Sequence, residues 1–359
     1  MDGYGGYNVK VSKLKNRIYR TDQVRLAAQD IKAGKLVAFP TETVYGLGAD
    51  ATNKRAVKKV FAAKHRPQGN PLNITVDGVG MVRKYARTVP VKAQKLMKRF
   101  WPGPLTIILN LKPGTLSSVI TGGMSTIAFR DQSNPVTIQL IKDAGVPIVG
   151  PSANISGKPS PTLPQHVLHD LNGRIAGIID AGPSKLGIES TVLDMSRSSP
   201  LVLRPGDVSI QSLEKVIGKV KDITKLHPSV QVDKRMPGVA LRHYSTRAPV
   251  LIVDHKSEWQ DVASWANYQE FRVGVMATDD VLAKVRFPHN VNPYHLGTSL
   301  KAAGRRFFGG LRYFDDVPAI KYIMVQAFPD DDTNLGEAYM NRLDKSANKM
   351  HFEKDLLKR

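Results

Sequence analysis

The sequence predicts an α/β protein of two domains, a large sheet-based domain followed by a smaller doubly wound one. Three observations carry this. Short β-rich runs alternate with amphipathic stretches from Lys35 to about Arg204. The alternation lapses in a basic, irregular stretch between Lys225 and Arg247. It resumes at Val250 as a βαβαβα series. A chain of 359 residues also exceeds one ordinary core. The expected division is residues 1–212 for the large domain, 213–248 for a connector and 249–359 for the small domain.

In order along the chain, the expected strands are Leu36–Phe39, Leu72–Val76, Leu105–Leu109, Thr126–Phe129, Pro147–Val149, Gly177–Ile179, Thr191–Leu193 and Leu201–Leu203. Thr52 or Asn53 can cap a helix that buries Val57, Val60 and Phe61 and exposes Lys54, Lys58 and Lys59. Pro90 suits the first turn of another, with Ala93, Leu96, Met97 and Phe100 on one face and Lys92, Lys95 and Arg99 on the other. Beyond the connector, Val250–Val253, Val273–Met276 and Ile320–Val325 read as strands. Glu258–Ala266, Leu300–Tyr313 and Gly336–Leu343 read as helices. This second series holds no Gly-x-Gly-x-x-Gly and no Walker loop, so nothing local marks it as nucleotide-binding.

Composition narrows the function. Hydrophobic residues make up 42% and charged residues 23%, as in a soluble globular protein. No run approaches the roughly 18 to 20 apolar residues of a membrane helix, and the N-terminal residues lack the layout of a signal peptide, so a cytoplasmic location is expected. Cysteine is absent, which excludes disulfides, thiolate metal sites and a cysteine nucleophile. Lys and Arg number 52 against 31 acids, a net charge of +21 that attracts polyanions such as ATP or nucleic acid. It also suits a merely solvated basic surface.

The informative residues lie at the ends of apolar runs. Pro40-Thr41-Glu42-Thr43-Val44-Tyr45-Gly46-Leu47-Gly48 follows a strand, the usual place for a binding loop in α/β folds. In Lys64-His65-Arg66-Pro67-Gln68-Gly69-Asn70-Pro71-Leu72, two cations leave a helix together. They can face one anion or simply complement the helix dipole. Gly150-Pro151-Ser152-Ala153-Asn154 offers a hydroxyl and an amide to one ligand, or ordinary turn chemistry. Arg130, Ser190-Thr191 and Arg204-Pro205-Gly206 each close an apolar run.

Taken together, in this order and spacing, these motifs resemble the Sua5/YrdC family over about residues 21–206. The resemblance continues through Arg242-His243-Tyr244 and the Asn334–Leu343 segment, which points to the longer, two-domain form. It implies an open, twisted YrdC-like sheet with a basic cavity, followed by a smaller Rossmann-like domain. The implied reaction joins L-threonine, bicarbonate (or CO2) and ATP into threonylcarbamoyl-AMP and pyrophosphate, for N6-threonylcarbamoyladenosine at position 37 of tRNA. By motif, Lys64, Arg66 and Asn70 would meet the triphosphate, with Lys64 and Arg66 as the catalytic cations. Thr126, Gly150, Ser152, Asn154, Ser160, Arg204 and Tyr244 would hold the nucleotide. Thr43, Thr75, Arg130 and Ser190 would hold threonine. Mg2+ would come with ATP and need few protein ligands, and no metal site built from the protein's own side chains is expected. tRNA or tRNA-modification proteins are possible partners, and no membrane is. Residues 225–247 would lid the cavity, with Tyr244 reaching the ligand. Replacing Lys64 or Arg66 by Ala would cripple turnover with an unchanged melting curve.

Three places depart from the family pattern. Thr75 stands where many members carry His, Asp131-Gln132-Ser133-Asn134-Pro135 replaces an Arg-x-Pro form, and His243-Tyr244-Ser245-Thr246 replaces His-Tyr-Ala-Pro. A histidine at position 75 would then tighten threonine binding. Two other functions compete with this one. A carbamoyl-transfer enzyme of related fold would bring acylphosphatase, zinc-finger or kinase-like modules, which are missing. A non-enzymatic RNA-binding protein would account for the charge but lacks a recognisable motif and, at 7% aromatic residues, stacking platforms.

Overall fold

The computed structural model describes residues 15–226, 243–328 and 334–353. The described chain forms two compact units: residues 15–156 with 160–226, and residues 243–328 and 334–353 with Gly157–Pro159.

The first unit opens with β1 (Arg17–Tyr19), α1 (Val24–Lys32), β2 (Val37–Phe39), β3 (Gly46–Gly48) and α2 (Lys54–Lys64). β4 (Asn73–Val76), α3 (Val79–Tyr85), α4 (Val91–Phe100), β5 (Leu105–Asn110), α5 (Ser118–Thr121) and β6 (Thr126–Asp131) follow. Then come α6 (Pro135–Ala144), β7 (Ile148–Val149), α7 (Pro164–Leu171) and β8 (Gly177–Ile179). β9 (Thr191–Asp194), β10 (Leu201–Arg204), α8 (Ile210–Ile217) and β11 (Lys221–Asp222) close the unit. One sheet runs β1-β8-β2-β3 and a second runs β11-β10-β9-β5-β6-β4-β7. Backbone bonds stitch them along β3 and β7: Leu47 to Pro151, Val149 to Ala49, Ala51 to Pro147 and Ala153 to Tyr45.

Every strand expected between Lys35 and Arg204 forms, within one or two residues at its ends. Asn53 caps α2, its Oδ1 accepting from the backbone N–H groups of Arg55 and Ala56. Pro90 precedes α4, which buries Ala93, Leu96 and Met97. The unit also extends past residue 212. α8 buries Leu213 and Ile217 in the main core, and β11 pairs in parallel with β10. Residues 213–222, read from sequence as the start of the connector, are thus part of this fold. Their apolar spacing is too short to signal this by itself.

The second unit holds β12 (Val250–Val253), α9 (Trp259–Asn267), β13 (Arg272–Ala277), α10 (Asp279–Lys284), β14 (Val291–His295), α11 (Leu300–Asp315), β15 (Ile320–Gln326) and α12 (Asn334–Ala347). The sheet is parallel throughout in the order β12-β15-β13-β14. Leu251, Val253, Val273, Val275 and Met324 pack with α9 on one face. On the other, Gly274 lies against Phe314 of α11, and Gly310 of α11 lies against Met276. Helices on both faces of a parallel sheet are the doubly wound arrangement. Gly157–Pro159 joins this unit through Lys158 Nζ on Asp315 Oδ2 (2.5 Å), Arg312 Nη2 on Pro159 O (2.6 Å) and Ser245 N on Gly157 O (2.7 Å). Among the described residues, no helix is long and apolar enough to cross a membrane.

Candidate active site

Strands alternate their side chains between two faces. On one face of the seven-stranded sheet, Ile74, Val76, Leu105, Ile107, Leu109, Ile127, Phe129 and Leu193 enter the main core. The opposite face carries a smaller apolar patch of Ile108, Ala128, Val192, Leu201 and Leu203. At one end of that patch the alternation delivers polar groups instead. Thr75 on β4 pairs in register with Arg130 on β6. The β5–β6 register, with Ile107 opposite Phe129, brings Thr106 across from Arg130. The result is a buried polar row on an otherwise apolar face, and buried polar groups need partners.

Arg130 is the centre of that row. Its Nη1 donates to Thr43 Oγ1 at 2.9 Å and its Nε to Gly103 O at 3.3 Å, while Nη2 lies 2.8 Å from Glu42 Oε1. Thr41 shapes the loop that supplies these partners. Its Oγ1 donates to Val44 O at 2.6 Å, accepts from the N–H groups of Thr43 and Val44, and sits 2.9 Å from Thr43 Oγ1. Glu42 and Arg130 are both buried and meet as charges, and neither Glu42 oxygen has a hydrogen bond among the described residues. On β9's side, Ser190 Oγ lies 2.8 Å from Thr106 Oγ1, and Arg204 donates to Ser190 O at 3.0 Å and to Ser190 Oγ at 3.3 Å. Thr75 is fully buried, and its Oγ1 accepts from Gln132 Nε2 at 3.3 Å. The structure therefore gathers Thr43, Thr75, Arg130 and Ser190 on one row, with Arg204 at its end.

The two phosphate-side loops are built around the end of α2. His65 takes a left-handed conformation, φ 50°, and ends the helix with Arg66 N on Phe61 O. Lys64 and Arg66 then diverge. Lys64 is buried, and its ammonium donates to the carbonyls of Ser152 and, at 2.6 Å, Asn154, while its own carbonyl accepts from Ser156 N. Asn154 Nδ2 donates onward to Ile155 O. Arg66 is half-buried, bonds Pro71 O at 3.0 Å, and reaches toward Asn70 O at 3.5 Å. Burial pushes its guanidinium down to about 10, so it stays a cation at neutral pH. The Lys-x-Arg pair thus organises both the Ser-x-Asn loop and the Asn70-Pro71 loop.

Gly150 has no room for a side chain: a Cβ there would lie 2.7 Å from Thr75 Oγ1. Thr126 starts β6 on the Arg130 face, about 13 Å away along the strand, in a small recess with Pro71, Leu72 and Met124. Ser160 is buried and donates to Glu189 at 2.6 Å. Tyr244 lies in the second unit, buried, with φ 65° and its ring 4.8 Å from that of Phe308. Of the proposed lid, residues 227–242 lie outside the described residues.

Glu42, Thr106 and Gln132 carry no role in the sequence motifs. An acid between two threonines in a strand-end loop, and a lone hydroxyl inside Leu105-Thr106-Ile107, are the signals that could have found the first two.

The model of the Sua5/YciO/YrdC family, described under telomere recombination, matches residues 29–206. That of the threonylcarbamoyl-AMP synthase C-terminal domain matches residues 208–348. Threonylcarbamoyl-AMP synthase of Bacillus subtilis is 42% identical over 90% of this chain and 93% of its own length. The chain belongs to the Sua5/YrdC family. Threonylcarbamoyl-AMP synthase of Pyrococcus abyssi is 39% identical over 90% of this chain and 94% of its own. The crystal structure of P. abyssi Sua5 complexed with L-threonine superposes with a TM-score of 0.85 at 36% identity, covering 94% of this chain and all of that one. The two-domain Sua5 form is thus shown.

Beside the row, burial raises Asp131 to about 7, helped by the negative charges of Asp77 and Glu42. A raised carboxylate binds its proton more tightly in the folded state, so this group's contribution to stability falls as pH rises from about 4 to about 7. Asp131→Asn is expected to flatten that slope. Above pH 7 it should gain on the parent by about 1–2 kcal/mol, after allowance for solvent screening. Urea melts at pH 5 and pH 8 check this. Equal losses at both would show that the carboxylate is not strained.

Proposed function

We propose that this chain condenses L-threonine, bicarbonate or CO2, and ATP into threonylcarbamoyl-AMP and pyrophosphate. The observation that carries the reading is Arg130, a buried guanidinium bonded to Thr43 Oγ1 whose Nη2 has no hydrogen bond among the described residues; such a fork can take a carboxylate. The likeness to the threonylcarbamoyl-AMP synthases of B. subtilis and P. abyssi supports the same reading.

Arg130, Thr43 and Ser190 hold the amino acid, and Glu42 restrains the Arg130 fork. Lys64 and Arg66 set the loops that receive the triphosphate and supply positive charge where two anions, carbamate and ATP, must meet. The carbamate oxygen attacks the α-phosphorus and pyrophosphate leaves. Gly150, Ser152, Asn154, Ser160, Thr126 and Arg204 surround the nucleotide, and by motif Tyr244 is a further nucleotide residue. Among the described residues, no group of three acids or histidines is placed to hold a metal ion. Mg2+ would accompany ATP, where it would neutralise phosphate charge and need few protein ligands. The basic surface suits tRNA or its modification proteins as recipients of the product, in the cytoplasm where these reside.

The test is pyrophosphate release with ATP, bicarbonate and a panel of amino acids. Threonine should lead, with serine about tenfold poorer for the missing methyl. A different preferred amino acid would reduce the assignment to an ATP-dependent carbamoyl-adenylate synthase.

A further inference from the structure

Gln132 is buried, and its carboxamide is only half used. Nε2 donates to Thr75 Oγ1 at 3.3 Å, whereas Oε1 has no hydrogen-bond donor among the described residues. A buried acceptor without a donor is costly, so this oxygen is a candidate to receive a hydrogen bond from a ligand. Its location is set by its partner. Thr75 is the register neighbour of Arg130, so the amide lies on the face where Arg130 waits. Close approach of Gly150 to Thr75 Oγ1 closes that side.

We propose that Gln132 is the specificity-determining residue of the amino-acid subsite, its Oε1 accepting a hydrogen bond from the β-hydroxyl of the substrate. This rests on the reading of Arg130 as the carboxylate holder. With the carboxylate on Arg130, the other end of a small amino acid points along the row toward Gln132. The ammonium has a stronger partner in Glu42, whose two carboxylate oxygens lack hydrogen bonds and whose charge lies 2.8 Å from Arg130. The amine must also leave its contacts to become a carbamate, whereas the hydroxyl stays unreacted and can be held throughout. A neutral amide suits a neutral hydroxyl. Thr75 acts through Gln132: its hydroxyl accepts from Nε2, and Oε1 is left without a donor among the described residues.

This pairing changes the expectation for Thr75→His. The site is fully buried, with Gln132 bonded and Gly150 against it, so an imidazole has no space beside Gln132. The single substitution should weaken threonine binding.

The experiment compares L-threonine with L-2-aminobutyrate, which lacks only the hydroxyl, by kcat/KM for pyrophosphate release in the parent, Gln132→Leu and Gln132→Met. A site built to bond a hydroxyl rejects the analogue strongly, so the parent should favour threonine by about a hundredfold or more. Both variants should bring the ratio within about tenfold, chiefly by losing threonine. An unchanged ratio in a folded variant, or equal losses for both substrates, overturns the proposal. Calorimetric binding of the two amino acids to the parent gives a second reading independent of turnover, and equal affinity there also overturns it. Absence of threonine-dependent pyrophosphate release in the parent would instead remove the proposed reaction.

Discussion

Arg130→Met is expected to end threonine-dependent pyrophosphate release, by about a thousandfold or more, and to lower stability at the same time. The activity loss follows from removing the cation on the row between Thr75 and Thr106. The stability loss has a separate cause. Glu42 is buried with Arg130 as its ion partner, and stripping one member of a buried pair leaves an uncompensated charge, at about 3–5 kcal/mol. Replacing both members separates the two effects. Arg130→Met with Glu42→Met should recover most of the melting temperature, because a buried pair exchanged for apolar groups is near neutral. It should recover none of the activity. If the double variant regained turnover, Arg130 would be structural and the carboxylate would have to be held elsewhere. If the single variant melted like the parent, the ion pair would contribute nothing to the fold.

Period and punctuation make most of the fold legible. Val250–Val253 is legible to the residue, because a buried parallel strand is a continuous apolar run between clear breaks. β1 and β3 are not. Arg17-Ile18-Tyr19 shows too little apolar pattern, and Gly46-Leu47-Gly48 looks like a turn. The glycines of β3 serve packing: a Cβ on Gly46 would meet the Phe39 ring at 2.5 Å. β14, Val291-Asn292-Pro293-Tyr294-His295, escapes for the opposite reason. Its proline speaks against a strand, yet it is an edge strand, where proline is tolerated.

The site is legible where a motif crosses a strand end and opaque where function depends on which face a residue takes. Arg130 and Thr43 follow from motif, and their 2.9 Å contact is long-range in sequence. No local signal could announce it. The departures at positions 75 and 132 look like two independent losses in the sequence. In space they touch, so they read better as one exchange. That coupling depends on β4 and β6 being parallel neighbours, which the sequence does not state.

Lys64→Ala and Arg66→Ala are expected to differ, although the sequence treats them as a pair. Lys64 is the clamp of the Ser-x-Asn loop: its side chain binds the carbonyls of Ser152 and Asn154, and its backbone carbonyl binds Ser156. Alanine would leave buried carbonyls without a charged donor, at about 1.5–3 kcal/mol, so melting should fall together with turnover. For this residue the structure replaces the expectation of an unchanged melting curve with an expected loss of stability. Arg66 is half-buried, and its main bond is to Pro71 O on its own loop. Its removal should cost little stability, while turnover falls about tenfold to a hundredfold through a raised KM for ATP and a slower chemical step. Lys64→Arg sharpens the contrast, since it keeps the charge but not the compact ammonium that fits between two carbonyls. It should restore neither melting nor rate. Thermal melts with pyrophosphate kinetics over an ATP series decide between the roles. Parallel behaviour of the two alanine variants, in both stability and KM, would mean that the loops are held by something other than Lys64.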